Sequence, residues 1–442
     1  MTPCEYTQSI TFPQIIGELS LHQEGTNMAI DKLPPSAQWK ADLLFEGLRY
    51  TQSLGNAAKH AYPNFYPYRF AKGEPDPTRK GQAPIPYLLR ADDETTLRIK
   101  GNGKSSWYVE GSLEAGYELL NDHSSGSSRA DFEPLPRWMS QEIDGMPSAQ
   151  TGVSLHSDMA VINVAPGCEY FLQKKAGKNL RCTFCAYGAP DERTKHLGQE
   201  AKIIAIPEAT IARMQKTLLA TIQETEIRHI YLVGGSLPDW RDEGERFLQL
   251  ARSVQEVVQH RIPVALGSGA LPEDILRQFK TEGLVDSVCF NLEVWSEDLF
   301  SKVCPGKHEF VGYSRWIESL ENAVSIFGRG RVYSAMVAGI ELEPDYGMSW
   351  EQASTLAIEG AEALCAKGII PIYSLYWPTG GQGHPEYLTR LRAFFETLNI
   401  AYHNIRRKYD LNIWDGFMCH KCAYMQLECD VDRGIAALEA AS

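Results

Sequence analysis

Three cysteines, Cys168, Cys182 and Cys185, stand in a C-x13-C-x2-C arrangement with Phe184 inside the closing pair. A two-residue gap lets two thiolates reach one centre, so the spacing points to metal or redox chemistry. Three thiols leave a tetrahedral zinc ion one ligand short; His196 could be the fourth, but its spacing from Cys185 matches no zinc pattern. Three unconnected core thiols are the plainest alternative. The remaining reading is a [4Fe–4S] cluster held by three thiolates, with one iron left open for an exogenous ligand. Phe184 suits a flat ligand at that iron.

A second group lies near the carboxyl end. Cys419, Cys422 and Cys429 read C-x2-C-x6-C in "DGFMCHKCAYMQLECD". Thiolates suit iron and zinc alike, so the residues themselves leave an iron–sulfur cluster, a zinc site and free thiols all open. Zinc would need His420 or the distant Cys304 as a further ligand. Cys304, in "VCPGK", is the candidate fourth ligand in either case. Cys4, Cys289 and Cys365 are scattered and read as small core residues.

The elements that must position these thiols begin near residue 158. Short apolar runs alternate with amphipathic stretches: "MAVINVA" and "IPEATIARMQKTLLATIQE", "HIYLVGG" and "EGERFLQLARSVQEVVQ", "IPVALGS" and "PEDILRQFKTEG". "SVCFNLEVW", "RVYSAMVAGIE" and "IIPIYSLYWP" continue the series, each followed by a helical pattern. Six strand–helix units predict a parallel sheet covered by helices, open or curled into a partial barrel. Such folds carry their chemistry on the loops that leave the carboxyl ends of the strands. Cys168 falls just after the first strand, where a site belongs. Residues 1–150 read as an N-terminal α+β extension, with 95–111 as a hairpin around a Gly-Asn-Gly turn. Residues 151–400 form the barrel, and 401–442 a Cys-rich C-terminal cap.

Over roughly 155–380 the chain resembles the radical S-adenosylmethionine superfamily. The resemblance rests on the triad, on "YLVGGS" (Gly234, Gly235, Ser236), on "CFNLEVW" (Asn291, Glu293), on "MVAGIELE" (Gly339, Ile340) and on "YSLYWP", in that order. It departs in the first spacing, thirteen residues where three is usual, and in Ser236, which replaces the family's Glu. It implies a partial (β/α)6 TIM-type barrel and a cluster on Cys168, Cys182 and Cys185. The open iron would chelate the methionine part of S-adenosylmethionine. Gly234 and Gly235 would hold the amino group, Asn291 and Glu293 the ribose, Gly339 and Ile340 the adenine. The implied activity is reductive cleavage of the cofactor to a 5′-deoxyadenosyl radical that takes hydrogen from a small-molecule substrate in a biosynthetic pathway. A reductant such as flavodoxin or ferredoxin would be the partner. Relatives of this kind often carry an auxiliary cluster after the barrel, which favours a second iron–sulfur cluster at Cys419, Cys422 and Cys429, closing one end of the barrel over the substrate. A non-catalytic iron–sulfur carrier or sensor, or a zinc-stabilised binding protein, would not need the Gly-Gly turn or the ribose acid.

Charge narrows the rest. The 442 residues carry 43 basic and 56 acidic side chains, a net −13, which gives no general attraction to nucleic acid or an anionic membrane. The start lacks a signal-peptide pattern, and no run approaches the ~18 apolar residues of a membrane span. A cytoplasmic location is expected.

Overall fold

The computed structural model describes residues 29–62, 65–91, 95–165, 167–188, 205–377 and 385–441. Six strands lie side by side in chain order: β1 (Met159–Ile162), β2 (His229–Leu232), β3 (Val264–Ser268), β4 (Ser287–Phe290), β5 (Val332–Ala338) and β6 (Ile369–Leu375). Every neighbouring pair among them is parallel. β3 and β4 are buried at every position, the continuous apolar burial of a sheet covered on both faces. Antiparallel Val153–His156 extends the sheet beyond β1.

Helices return the chain between strands. Trp240–Val258 begins where the Asp239 side chain accepts from the backbone N–H groups of Arg241 and Asp242. It turns Phe247, Leu248, Ala251, Val254 and Val258 inward at three- and four-residue intervals. Trp350–Ala366 starts on a reciprocal Ser349–Gln352 capping box. The expected alternation is therefore present from β1 through the helix Pro385–Lys408.

The sheet curls. Phe417 stacks on Tyr333 of β5, with ring centroids 3.9 Å apart, and meets Tyr231 of β2 edge-on at 5.6 Å. β2 and β5 are separated by two strands, so a ring touching both lies in the concave interior. The segment around it also crosses the open side of the barrel. The Leu375 N–H donates to the Met425 carbonyl at 3.1 Å, and Gln426 donates to the Ser374 hydroxyl at 2.6 Å. Tyr424, just before them, reaches His156 on the outer antiparallel strand at 3.2 Å. The segment thus bridges β6 to Val153–His156.

Ahead of the barrel lies a five-stranded antiparallel sheet, in the order Thr96–Arg98, Leu88–Ala91, Ser127–Asp131, Gly116–Asn121, Trp107–Ser112. The hairpin expected over 95–111 does not form: Thr96–Arg98 and Trp107–Ser112 stand at opposite edges. Trp107–Ser112 pairs instead with Gly116–Asn121. The Gly-Asn-Gly turn is used otherwise, since the Asn102 N–H donates to the Leu48 carbonyl and the Asn102 side chain to that of Glu46.

Candidate functional site

The first cysteine group sits at the carboxyl end of the strands. Cys168 follows β1, and its N–H donates to the Gly188 carbonyl at 3.2 Å, which closes the 168–188 loop on itself. The long first spacing has a simple cause: Lys174–Lys175 and Lys178–Asn179 pair as a small exposed hairpin. Two further contacts tie the loop to neighbouring strand exits. The Glu169 N–H donates to the Ser236 carbonyl at 3.0 Å, and the Thr183 N–H to the Val303 carbonyl at 2.9 Å. The triad is held between the exits of β2 and β4.

Gly235 explains that closeness. A Cβ there would stand 2.0 Å from the Gly167 carbonyl oxygen and 2.4 Å from the Cys168 nitrogen. The absent side chain lets the β2 exit press on the cysteine loop itself. Gly234 is backed by Ala165 and Phe247. Ser236 grips the same loop in two further ways, with its N–H toward the Cys168 sulfur and its hydroxyl toward the Tyr170 phenol.

The three sulfurs do not all lie within 4.8 Å of one another, so they are too spread for a single ion. Each is nonetheless met by hydrogen-bond donors. The N–H groups of Tyr170 and Ser236 face Cys168, and the Tyr187 N–H reaches the Cys185 sulfur at 3.4 Å. Cys182 takes a hydrogen bond from the Cys304 thiol, which lowers its pKa despite burial, and the Lys307 ammonium pulls the same way. Donors aimed at spread thiolates are what a cuboidal cluster's ligands require. Phe184 is half-buried beside them.

Cys304 therefore stands against the first group, not the second, where a fourth ligand was expected. One helical turn further on is a residue that the sequence reading missed. Lys307 is buried and donates to Glu293 Oε1 at 2.7 Å and to the Asn291 carbonyl at 2.5 Å. Its ammonium lies 4.8 Å from the Trp316 ring centre. Burial works against the charge, but the carboxylate of Glu293 and the thiols of Cys304 and Cys182 outweigh it and raise the pKa. The only signal in the sequence is its place in "VCPGK", three residues after Cys304.

Glu293 itself has a left-handed backbone, φ +73°, rare for a residue with a side chain. Two hydrogen bonds to β5 hold it there: its N–H to the Ala335 carbonyl at 3.0 Å, and its carbonyl from the Val337 N–H at 2.7 Å. The conformation costs of the order of 1–3 kcal/mol, and such strain clusters at functional sites. One carboxylate oxygen is taken by Lys307; a carboxylate has room for further donors. Asn291 is half-buried, and its side-chain oxygen lies 3.2 Å from the Cys289 sulfur.

Gly339 and Ile340 follow β5 at the same end, but they pack toward the helix Pro385–Lys408. A Cβ on Gly339 (φ +101°) would meet Leu391 at 2.1 Å, and the Tyr387 hydroxyl donates to the Gly339 carbonyl at 3.3 Å. Ile340 is 1% exposed. In "YSLYWP", Tyr373 is buried, Trp377 packs near Arg98 and Lys100, and Pro378 lies outside the described residues.

The second cysteine group is at the other end of the barrel. Cys419 and Cys422 have their sulfurs 3.7 Å apart, and the Cys419 sulfur lies 3.6 Å from Asp158 Oδ1. Asp158 immediately precedes β1, so this is the amino-terminal end of the strands. The expectation that the group closes the barrel over the substrate is corrected accordingly: it lies opposite the triad. Cys429, on the helix Glu428–Ala440, is not part of the convergent set, and Asp158 takes the third place.

No family model matches the chain. It is similar to bacteriochlorophyllide c C-7(1)-hydroxylase of Chlorobaculum limnaeum, 23% identical over 354 residues that cover 77% of each chain. Solved structures with a similar course include a radical SAM methyltransferase from Sphaerobacter thermophilus, with 13% identity, a TM-score of 0.36, and coverage of 68% of this chain and 76% of that one. Methylornithine synthase is another, with 15% identity, a TM-score of 0.38, and coverage of 66% and 71%. The sequence match extends over most of the chain, and the motifs that resemble the radical S-adenosylmethionine superfamily follow one another at the exits of successive parallel strands.

Proposed function

We propose that the enzyme holds a [4Fe–4S] cluster through Cys168, Cys182 and Cys185, and binds S-adenosylmethionine beside it to take a hydrogen atom from a small-molecule substrate of a biosynthetic pathway. Bound there, the cluster and its ligand would supply one-electron reductive cleavage of the cofactor's sulfur–carbon bond, with a flavodoxin or ferredoxin as electron source. What supports the reading is the set of donors around three spread sulfurs, with Lys307 as a fixed buried cation next to Cys182. The chain's own residues would hold the thiolates ionised, keep Glu293 oriented toward the ribose through Lys307, and exclude water with Phe184. Gly234, Gly235 and Ser236 would shape the amino-group side, and Gly339 and Ile340 the adenine side.

The hydroxylase relative makes bacteriochlorophyllides the first substrates to try, with hydroxylation as the outcome to look for. The test is anaerobic reconstitution followed by reduction with S-adenosylmethionine present. About four irons per chain at this site and release of 5′-deoxyadenosine are expected. A fully reconstituted protein that releases none would overturn the reading.

A further inference from the structure

We propose that Asp158, Cys419 and Cys422 form a single-ion site for zinc at the amino-terminal end of the barrel, where it fastens the C-terminal segment to β1. The site stands apart from the cluster proposed above and does not rest on it.

The distances suit one tetrahedral ion. With zinc–sulfur bonds near 2.3 Å and zinc–nitrogen or zinc–oxygen bonds near 2.0–2.2 Å, neighbouring ligand atoms fall roughly 3.4–3.8 Å apart. The two sulfurs are 3.7 Å apart and Cys419 to Asp158 is 3.6 Å; His229 Nε2 stands 3.4 Å from the Cys422 sulfur but outside the convergent set. At 3.7 Å the sulfurs are far beyond the ~2.05 Å of a disulfide. Among the described residues, Asp158, Cys419 and Cys422 are the one set of three such ligands that converges this tightly. The three side chains are buried, Asp158 6%, Cys419 4% and Cys422 5% exposed, and so is the neighbouring His229 at 0%.

The local backbone is shaped for a bound thiolate. The N–H groups of Lys421 and Cys422 both face the Cys419 sulfur. The Cys419 N–H in turn donates to the Cys422 sulfur at 3.2 Å. An access path exists as well. Asp158 lines a cavity of about 390 Å³ together with Arg228 and Lys421, through which an ion can reach the carboxylate. Two sulfurs and a carboxylate are a mixed donor set that zinc takes, with its fourth position left to water.

Elemental analysis of the protein purified anaerobically, with zinc and iron counted separately, tests this. About one zinc per chain is expected in the native protein, and still in Cys182→Ala, whose iron should be lost. Cys419→Ser/Cys422→Ser should lose the zinc and keep its iron. If that variant does not fold, Asp158→Asn decides: competition against a chromophoric chelator should show zinc held at least tenfold more weakly. Cobalt loaded in place of zinc should give a thiolate-to-metal absorption band that Cys422→Ser weakens. Iron that falls with Cys419 and Cys422 would overturn the proposal in favour of a second cluster. So would native protein without stoichiometric zinc, or unchanged affinity in Asp158→Asn. Failure of 5′-deoxyadenosine release with zinc present would count against the catalytic reading alone.

Discussion

Both ends of this barrel carry a C-x2-C pair, and the two pairs sit in opposite kinds of surroundings. At the carboxyl end, Cys182 and Cys185 belong to a loop strung between the exits of three strands, and their sulfurs are spread and served by backbone N–H groups, a thiol and a buried lysine. At the amino end, Cys419 and Cys422 converge on a carboxylate within a few ångströms, with an imidazole beside Cys422. The same sequence spacing therefore leads to a wide, cation-assisted set in one place and a compact mixed set in the other. The spacing is shared; the neighbours differ. The division also follows the logic of parallel barrels, in which the carboxyl end carries reactions and the amino end carries stability.

If that contrast is right, substitutions at the two ends should fail differently. The largest effect is expected from Cys182→Ala, which should abolish 5′-deoxyadenosine formation while leaving the melting temperature within a few degrees of the native value. Normal cofactor cleavage by that variant would dissolve the distinction. Next comes Phe417→Ala at the amino end. Removing a ring packed between Tyr231 and Tyr333 should destabilise the fold by about 3–5 kcal/mol, read from denaturant unfolding, with residual cofactor cleavage retained. A stability change below ~1 kcal/mol would mean that the ring is not a core element.

Lys307→Met probes the carboxyl end in a second way. It leaves the Glu293 carboxylate buried without its cation, a change that costs about 3 kcal/mol or more in comparable pairs. Lys307→Met/Glu293→Gln should recover much of that stability yet still bind S-adenosylmethionine weakly. Equal stability of the single and double variants would show that the pair is not coupled. Glu293→Gln alone should weaken cofactor binding by about 1.5–3 kcal/mol, the scale of a charge-assisted hydrogen bond, in titrations of the reconstituted protein.

The smallest effect is a pH dependence. Burial pushes the carboxyls of Glu341, just after β5, and Glu428, beside β6, up to about 7. A carboxyl whose folded pKa is raised contributes stability that is full below its unfolded value near 4.5 and is lost as pH rises through about 7. Stability should therefore fall between pH 5 and 8 by the order of 1–3 kcal/mol per group. Glu341→Gln/Glu428→Gln should flatten that slope in thermal unfolding followed across pH; an unchanged slope would assign it to other groups.

Much of this architecture was legible because its signals are local. Six apolar runs are each followed along the chain by an amphipathic helix, and the triad falls inside the single loop 168–188. The misread hairpin shows where local signals stop: a good turn at Gly101–Gly103 says nothing about which strands lie beside Thr96–Arg98. Lys307 was unreadable because a single lysine in a polar stretch looks solvated until the fold sets Glu293 beside it. In the sequence Gly235 suggests a turn that holds a ligand's amino group, whereas its missing side chain first makes room for the backbone of Gly167 and Cys168. Asp158 and His229 were invisible for a different reason. Each begins an apolar strand like any boundary residue, and its partner cysteine lies 261 or 193 positions further along the chain.

Those separations bear on how the protein is made. Tyr424 must return to His156 across 268 residues before the side between β6 and Val153–His156 is bridged. Until then a growing chain on the ribosome has its parallel strands available but the aromatic lining around Tyr231 and Tyr333 uncovered. Contacts of such long range form slowly and late. Nascent chains halted before Phe417 should accordingly be held by chaperones or aggregate, whatever the state of the cysteine loop already synthesised at residues 168–188.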